Sequence, residues 1–549
     1  MTNRVSAQFD RYYLYQEITD YVHGVAKAYP ELVSVQAIGK SYEGRDIWGL
    51  TLTNRATGQP EAKPAIYFEG NIHAGEVTAS MTCLHIIDYL LANFGCDEEV
   101  THLLNTHTFY VVPRVNPDGA EKYLTTPYTL RSSVRVWPEE TQDLPGLHAE
   151  DINGDGWILQ MRVRDDKLGG WKISDKDARM MIPRRPGERK GPFYHIYTEG
   201  QIKDFEGQPF DVVRTPWGLD MNRNFPSNWD PSVQGGGDYP TSEPEVKAVV
   251  DFILAHRNIG QVNSFHTSGG IFFRNPYQYG DDKIDQEDLR AIKEIAQEGT
   301  RATGYVDVKS SNRACLPEWM YEHHGVIGYT TELWDRMGQA GLNGREVMAM
   351  TDPAKREEVN LKLLEWNDRA LAGKGFFNWT PFDHPQLGPV EIGGWNPKFV
   401  VQNPPHHLLP GECYKNTIWA LHQAAALPEL EISELHAEAL GDQCYKLTAV
   451  VQNNGYLCTN ITNKALQIKA VQADKVSVKG DSVEVIGGKA TVDIGYLQGY
   501  IKAQVNPYGP TPVKSSARVK WVVKANPGTT LTVTLRSQRG GTVEKTIVL

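Results

Sequence analysis

Apolar residues recur at helical spacing near the start of the chain. Phe9, Tyr13, Ile18, Val22 and Val25 predict a helix between residues 7 and 28. Two β-type runs follow, SVQAIG and IWGLTLT, joined by the turn-rich KSYEGRD. AIYFEGNI reads as a buried strand and runs directly into HAGE, after which VTASMTCLHIIDYLLANF carries a long helical pattern. FYVVPRV is another buried strand, closed by the turn NPDG. Further on, EPEVKAVVDFILAHR predicts a helix and VNSFH a strand. Strands alternating with helices imply an α/β body with a mixed, mostly parallel sheet flanked by helices. Ligands of such sheets gather at the carboxyl ends of the strands. HAGE, NPDG, SFHTSGG and YTTELWD all fall at such ends.

This pattern breaks between Arg131 and about Thr215, where Gly, Pro, Asp and Arg dominate without sustained periodicity. The stretch from about 132 to 215 therefore reads as an insertion over the body. FFNWTPFDHPQLGPVEIGGW is rich in Pro and Gly and reads as a connector, and KNTIWALHQAAAL as a short helix. After Leu430 the chain turns to short alternating strands separated by Gly, Asn and Pro, which is a β-sandwich pattern. The expected organisation is a catalytic body over 1–375, a connector over 376–430 and a β-sandwich accessory domain over 431–549.

Composition narrows the function classes. The 549 residues are 40% hydrophobic and 22% charged, a globular balance. No apolar run is long enough for a membrane span. The net charge is -11, but residues 441–549 carry +8, so the rest carries -19. An acidic body of that kind argues against nucleic-acid binding. The first residues lack a basic stretch followed by an apolar core, so the expected compartment is cytoplasmic, or secreted with a signal already removed. Six cysteines without a CxxC pair make a thiolate zinc site a poor reading. Cys444 and Cys458 are placed to pair across strands, although two free thiols fit the missing signal better.

His73 and Glu76 form H-x-x-E just after a buried strand. Taken alone the match is weak, because an acidic residue in the first turn of a helix is favoured by the helix dipole. Two such residues joined by a second histidine make a catalytic zinc set with an open position. Of the 16 histidines, His266 is the best placed, ending the apolar run VNSF before the small residues TSGG.

The stretches SYEGRDIWGL, GNIHAGE, PRVNPDG, DMNRNF, SFHTSGG and YTTELWD stand in this order along the chain. In that order and spacing the sequence resembles zinc metallocarboxypeptidases of the carboxypeptidase A type over residues 7 to 350. The 43 residues from His73 to Asn116, the 58 from His73 to Arg131 and the stretch from Trp319 to Glu332 match without gaps. The resemblance implies one zinc per chain held by His73, Glu76 and His266. It implies Glu332 as the general base and Arg131 as the stabiliser of the developing oxyanion. It implies Asn222 and Arg223 as a clamp for the terminal carboxylate of a peptide substrate, which would make the protein an exopeptidase. Asn224 beside them has the look of a turn support.

Departures from the family pattern bear on specificity. The position where the family carries a mobile-loop tyrosine, 22 before the base, is Ser310, and Tyr305 would serve only if the loop were re-routed. The position two before the pocket tryptophan is Pro317, with Glu318 adjacent, so no carboxylate there signals basic substrates. In the insertion, Asp151, Asn153, Asp155 and Gly156 match the first half of an EF-hand-type calcium loop, but Arg162 stands at the twelfth position in place of Glu. Calcium completed by another carboxylate is one reading. A turn whose side chains bond their own backbone is the other. A zinc deacylase acting on N-acyl amino acids, a cell-wall peptide hydrolase and an inactive binding module are the alternatives to a carboxypeptidase.

Overall fold

The computed structural model describes residues 5–138, 141, 143–503, 505–506, 509–510 and 512–549. Its largest sheet has eight strands: β1 (Val33–Lys40), β2 (Asp46–Leu52), β3 (Ala65–Gly70), β4 (Thr108–Val112), β5 (Ile259–Thr267), β6 (Ile271–Arg274), β7 (Val306–Lys309) and β8 (Ile327–Leu333). They lie in the order β1-β2-β4-β3-β5-β8-β6-β7. The centre, β4-β3-β5-β8, is parallel. Antiparallel pairing joins β1, β2 and β4 on one side and β6 to β8 on the other. Every residue of β3, β4 and β5 is buried. Strands covered on both faces need near-continuous apolar runs, which is why these three stood out in the sequence.

Helices cover both faces. Val77–Asn93 and Leu409–Ala425 close one, in a core that includes Phe68, Phe109, Phe265, Leu84 and Trp419. Pro244–Ala255 and Leu316–His324 close the other, over Tyr67, Tyr110, Phe252 and Trp319. The HAGE and NPDG loops leave the carboxyl ends of β3 and β4. His266 and Glu332 lie near the ends of β5 and β8 as cross-strand partners in register.

The insertion is more regular than its composition suggests. Gln160–Arg164, Tyr194–Thr198, Trp171–Ile173 and Met181–Pro183 are strands. The stretch read as a connector supplies two more, Phe376–His384 and Gly388–Trp395, which pair with them in one six-stranded sheet. Its small core holds Leu159, Met161, Val390 and Ile392, and Arg162 makes a forked pair with Glu391 at 2.8 and 2.9 Å. The Pro/Gly-rich segment is thus a hairpin, and the helix after it packs on the main sheet. Strands of three to five residues are too short to show periodicity, and their partner lies some 230 positions away.

Residues from Leu430 onward form two four-stranded antiparallel sheets. Leu447, Val451, Trp521, Val476, Val533 and Leu535 share one core between them, so this region is a β-sandwich. All six cysteines are free thiols, Cys444 and Cys458 included. Among the described residues no single helix is long and apolar enough to cross a membrane.

Candidate active site

The site is built by short loops tied to one another. After β3, Asn71 takes a left-handed backbone conformation (φ 61°), which Asn tolerates better than most residues. Its Nδ2 donates to the carbonyls of His73 (2.6 Å) and Ala74 (3.2 Å), folding HAGE back on itself. Ser80 donates to its Oδ1 at 2.8 Å. Asn116, in NPDG, caps its own helix at Gly119 and donates to the carbonyls of Ser132 (2.8 Å) and Ile72 (3.3 Å). The Ala74 N–H donates to the Arg131 carbonyl at 3.1 Å. These bonds fix Arg131 at the point where the chain enters the insertion.

His73, Glu76 and His266 converge at the strand ends, all buried. His73 Nδ1 is 2.9 Å from one Glu76 oxygen, His266 Nδ1 is 2.8 Å from the other, and the two Nδ1 atoms are 3.0 Å apart. The far side of each ring sets its tautomer. His73 Nε2 faces Asp220 Oδ1 at 2.9 Å, so it carries the proton. His266 Nε2 faces Ser264 Oγ at 3.0 Å, and that hydroxyl donates to the buried Glu69 at 2.9 Å, so it too receives a proton from the ring. As neutral rings, both therefore turn Nδ1 lone pairs toward the Glu76 carboxylate. A bound cation satisfies three such donors at once, as does a second proton on an imidazole whose Nδ1 then donates to Glu76; two imidazoles with one carboxylate are a zinc donor set. Burial pushes Glu76 up, but positive charge on the surrounding imidazoles, His73 first, holds it well below the ordinary carboxylate range.

Arg131 borders this cluster. Its Nη2 is 3.0 Å from Asp220 and its Nη1 3.3 Å from Glu76, while its side chain stays 42% exposed. Asn222 is buried, with Nδ2 3.4 Å from His266 Nε2 and Oδ1 accepting from the Leu316 N–H at 3.3 Å. Arg223 donates to the Asn222 carbonyl at 2.8 Å. Among the described residues no carboxylate forms a salt bridge with it, which leaves its fork available to a ligand. Glu332 has its ordinary carboxylate range raised by burial first and by the Glu76 charge second, partly offset by His266, Arg131 and Arg223. Asn224 donates to the Gly236 (2.7 Å) and Tyr239 (2.8 Å) carbonyls, supporting its loop.

Several residues around the site were not singled out from the sequence. Asp220 opens the DMNRNF motif, and its position beside two candidate residues was the signal available. Ser264 and Glu69 lie two and four residues before ligand positions on buried strands, where a carboxylate is costly unless bonded. Tyr305 is in the core, 1% exposed, its hydroxyl bonded to Glu412 and accepting from the Trp334 N–H at 3.0 Å. It does not cover the cleft. Glu318 is buried, accepting from Asn228 and the Ala314 N–H at 2.7 Å each, and burial pushes it up to about 7. Asp151, Asn153 and Asp155 accept from N–H groups of their own turn at 2.8–2.9 Å, and Glu199 accepts from Ile152 and Leu159. That is the self-bonded turn, and nothing in it assigns calcium.

Residues 18–348, more than half of the chain, match the family described as zinc carboxypeptidase. The chain belongs to the zinc carboxypeptidase family. Residues 429–548 match a family described as a domain of unknown function. Carboxypeptidase B of Astacus astacus is 37% identical over 145 residues, 26% of this chain and 43% of that protein. Carboxypeptidase M of Mus musculus is 33% identical over 121 residues, 21% and 26% respectively. Carboxypeptidase A2 of Rattus norvegicus is 24% identical over 294 residues, 54% and 53%. The chain thus spans between a quarter and about half of these relatives' lengths. A crystal structure of carboxypeptidase A from Helicoverpa armigera is similar at 19% identity over 68% of this chain and 77% of that one, with a TM-score of 0.41.

Membership of the zinc carboxypeptidase family implies a zinc ion, and the donor set at His73, Glu76 and His266 fits one. Asp220 then orients His73 and balances Arg131. Against burial, which pushes it up, the His73 and Arg131 charges hold Asp220 well below the usual carboxylate range. Asp220→Asn keeps the shape and loses the charge. It is expected to weaken zinc binding about 10- to 100-fold, measured by competition with a chromophoric chelator. Unchanged affinity would remove Asp220 from this role.

Proposed function

We propose that the protein is a zinc-dependent carboxypeptidase that hydrolyses the C-terminal bond of peptides. The observation that carries this reading is the meeting of a His2Glu donor set with Arg223, whose guanidinium donates to the Asn222 carbonyl and has no salt-bridge partner among the described residues. His73, Glu76 and His266 would hold the zinc, which would supply a Lewis acid for the scissile carbonyl and a lowered pKa for water. Glu332 takes the proton of the attacking water at its carboxylate and hands it to the leaving amine. Its raised affinity for protons suits a group that must both accept and release one near neutral pH. Arg131 presents its half-exposed guanidinium where the carbonyl oxygen gains negative charge. Arg223 holds the substrate's terminal carboxylate through paired N–H donors, and Asn222, tied to Leu316, fixes the turn that carries it.

The clamp is the element that makes an exopeptidase. Breaking a shielded, charge-assisted pair on one side costs about 2–4 kcal/mol. Arg223→Ala is therefore expected to lower kcat/KM on free-acid peptides by about 30- to 1000-fold. The matching C-terminal amides, which offer no charge to pair, should change much less. Both substrates are assayed side by side on wild type and variant. Equal wild-type rates on acid and amide would replace the exopeptidase by an endopeptidase. Faster hydrolysis of N-acyl amino acids than of peptides would replace it by a deacylase.

A further inference from the structure

We propose that Asn403 is a positioning residue for the zinc-binding loop, a role that rests on the zinc carboxypeptidase reading. The helix Val77–Asn93 begins with Glu76 at its N-cap, but Glu76 turns its carboxylate to His73 and His266 and makes no cap bond. A helix start leaves N–H groups without internal acceptors, and the N-cap side chain normally accepts one of them. A metal ligand at that position cannot do both. Here the acceptor comes from 325 positions away: Asn403 Oδ1 accepts from the Thr78 N–H at 3.1 Å and from its hydroxyl at 2.8 Å. The other end of the same amide, Nδ2, donates to the Gly75 carbonyl at 2.7 Å.

One buried side chain thus spans the peptide on both sides of Glu76. The segment that carries it is fixed independently. Lys398 donates to the Tyr123 carbonyl at 2.6 Å, Phe399 stacks on Tyr12 at 5.1 Å, and Tyr12 donates to the Pro404 carbonyl at 2.6 Å. It lies directly on the loop: a Cβ at Gly75 would collide with Gln402 and come within 2.7 Å of Tyr123. Residues 397–404 fall outside the part of the chain that matches the zinc carboxypeptidase family. Without Asn403 the Thr78 N–H loses this acceptor, and the side chain that an N-cap ordinarily offers in its place is the Glu76 carboxylate, the group that faces His73 and His266.

The test compares full-length wild type, Asn403→Ala and Lys398→Met, the last loosening the same segment without touching the loop. Zinc affinity is read by chelator competition, thermal stability on the metal-free proteins, and kcat and KM at saturating zinc. Asn403→Ala is expected to bind zinc at least about 10-fold more weakly, beyond any loss in Lys398→Met. Its kcat should fall with KM near wild type, because Glu76 faces the metal and not the peptide. Zinc affinity and kcat no lower than those of Lys398→Met overturn the inference. Should Asn403→Ala not fold, Asn403→Ser gives the same comparison, its hydroxyl too short to reach both Gly75 and Thr78. A wild type that binds no zinc defeats the underlying reading, whereas wild-type zinc affinity in a folded Asn403 variant defeats only this one.

Discussion

Glu332→Gln is expected to lower kcat by at least about 100-fold, in line with the contribution of a positioned general base, with zinc content unchanged. Gln keeps the size and hydrogen-bonding shape of the side chain but cannot accept a proton. Glu332 sits in register with His266 across β5 and β8, close enough to feel the Glu76, His266, Arg131 and Arg223 charges. It is not among the three converging donors, so its loss should leave the metal in place. The measurement is turnover of a free-acid peptide together with zinc per chain. Near-normal turnover would move the base elsewhere. Loss of zinc would instead make Glu332 a ligand.

His266→Ala is expected to abolish measurable hydrolysis and to take zinc well below one per chain. The reason lies in the donor set. With each neutral ring donating its outer N–H, His73 to Asp220 and His266 to Ser264 Oγ, three lone-pair atoms share one point. Removing one leaves two protein ligands, fewer than the three of a catalytic zinc site. Elemental analysis of purified wild type and variant, with circular dichroism to confirm folding, decides it. Full zinc retention in His266→Ala would sink the assignment, whatever the activity.

The residues that must sit on buried parallel strands announced themselves in the sequence. β3, β4 and β5 are covered on both faces, and such strands have to be apolar throughout, so AIYFEG, TFYVV and the run ending at His266 were legible from composition alone. The candidate site residues His73, Arg131, Arg223, His266 and Glu332 were legible from the ordered motifs that carry them. The alternating strands of the C-terminal sandwich were legible for a related reason, since one face of each is core and the other solvent.

Other features existed only once the chain had folded. The hairpin Phe376–Trp395 completes a sheet begun more than two hundred residues earlier, and nothing in its Pro- and Gly-rich sequence names that partner. Tyr305 was a candidate by position and became core, because its hydroxyl meets Glu412 on the Leu409–Ala425 helix. The tautomers of the two ligand histidines depend on Asp220 and on the Ser264–Glu69 pair, which lie far apart along the chain. Asn403 is the extreme case: an ordinary asparagine in the sequence, it becomes the cap of a helix 325 positions away. Burial on two faces leaves a periodic record in the chain, so the sequence by itself determined the strands and the motif residues at their ends. Hydrogen bonds between distant loops leave no such record, and only the tertiary structure decided which groups orient and hold the ligand residues in place.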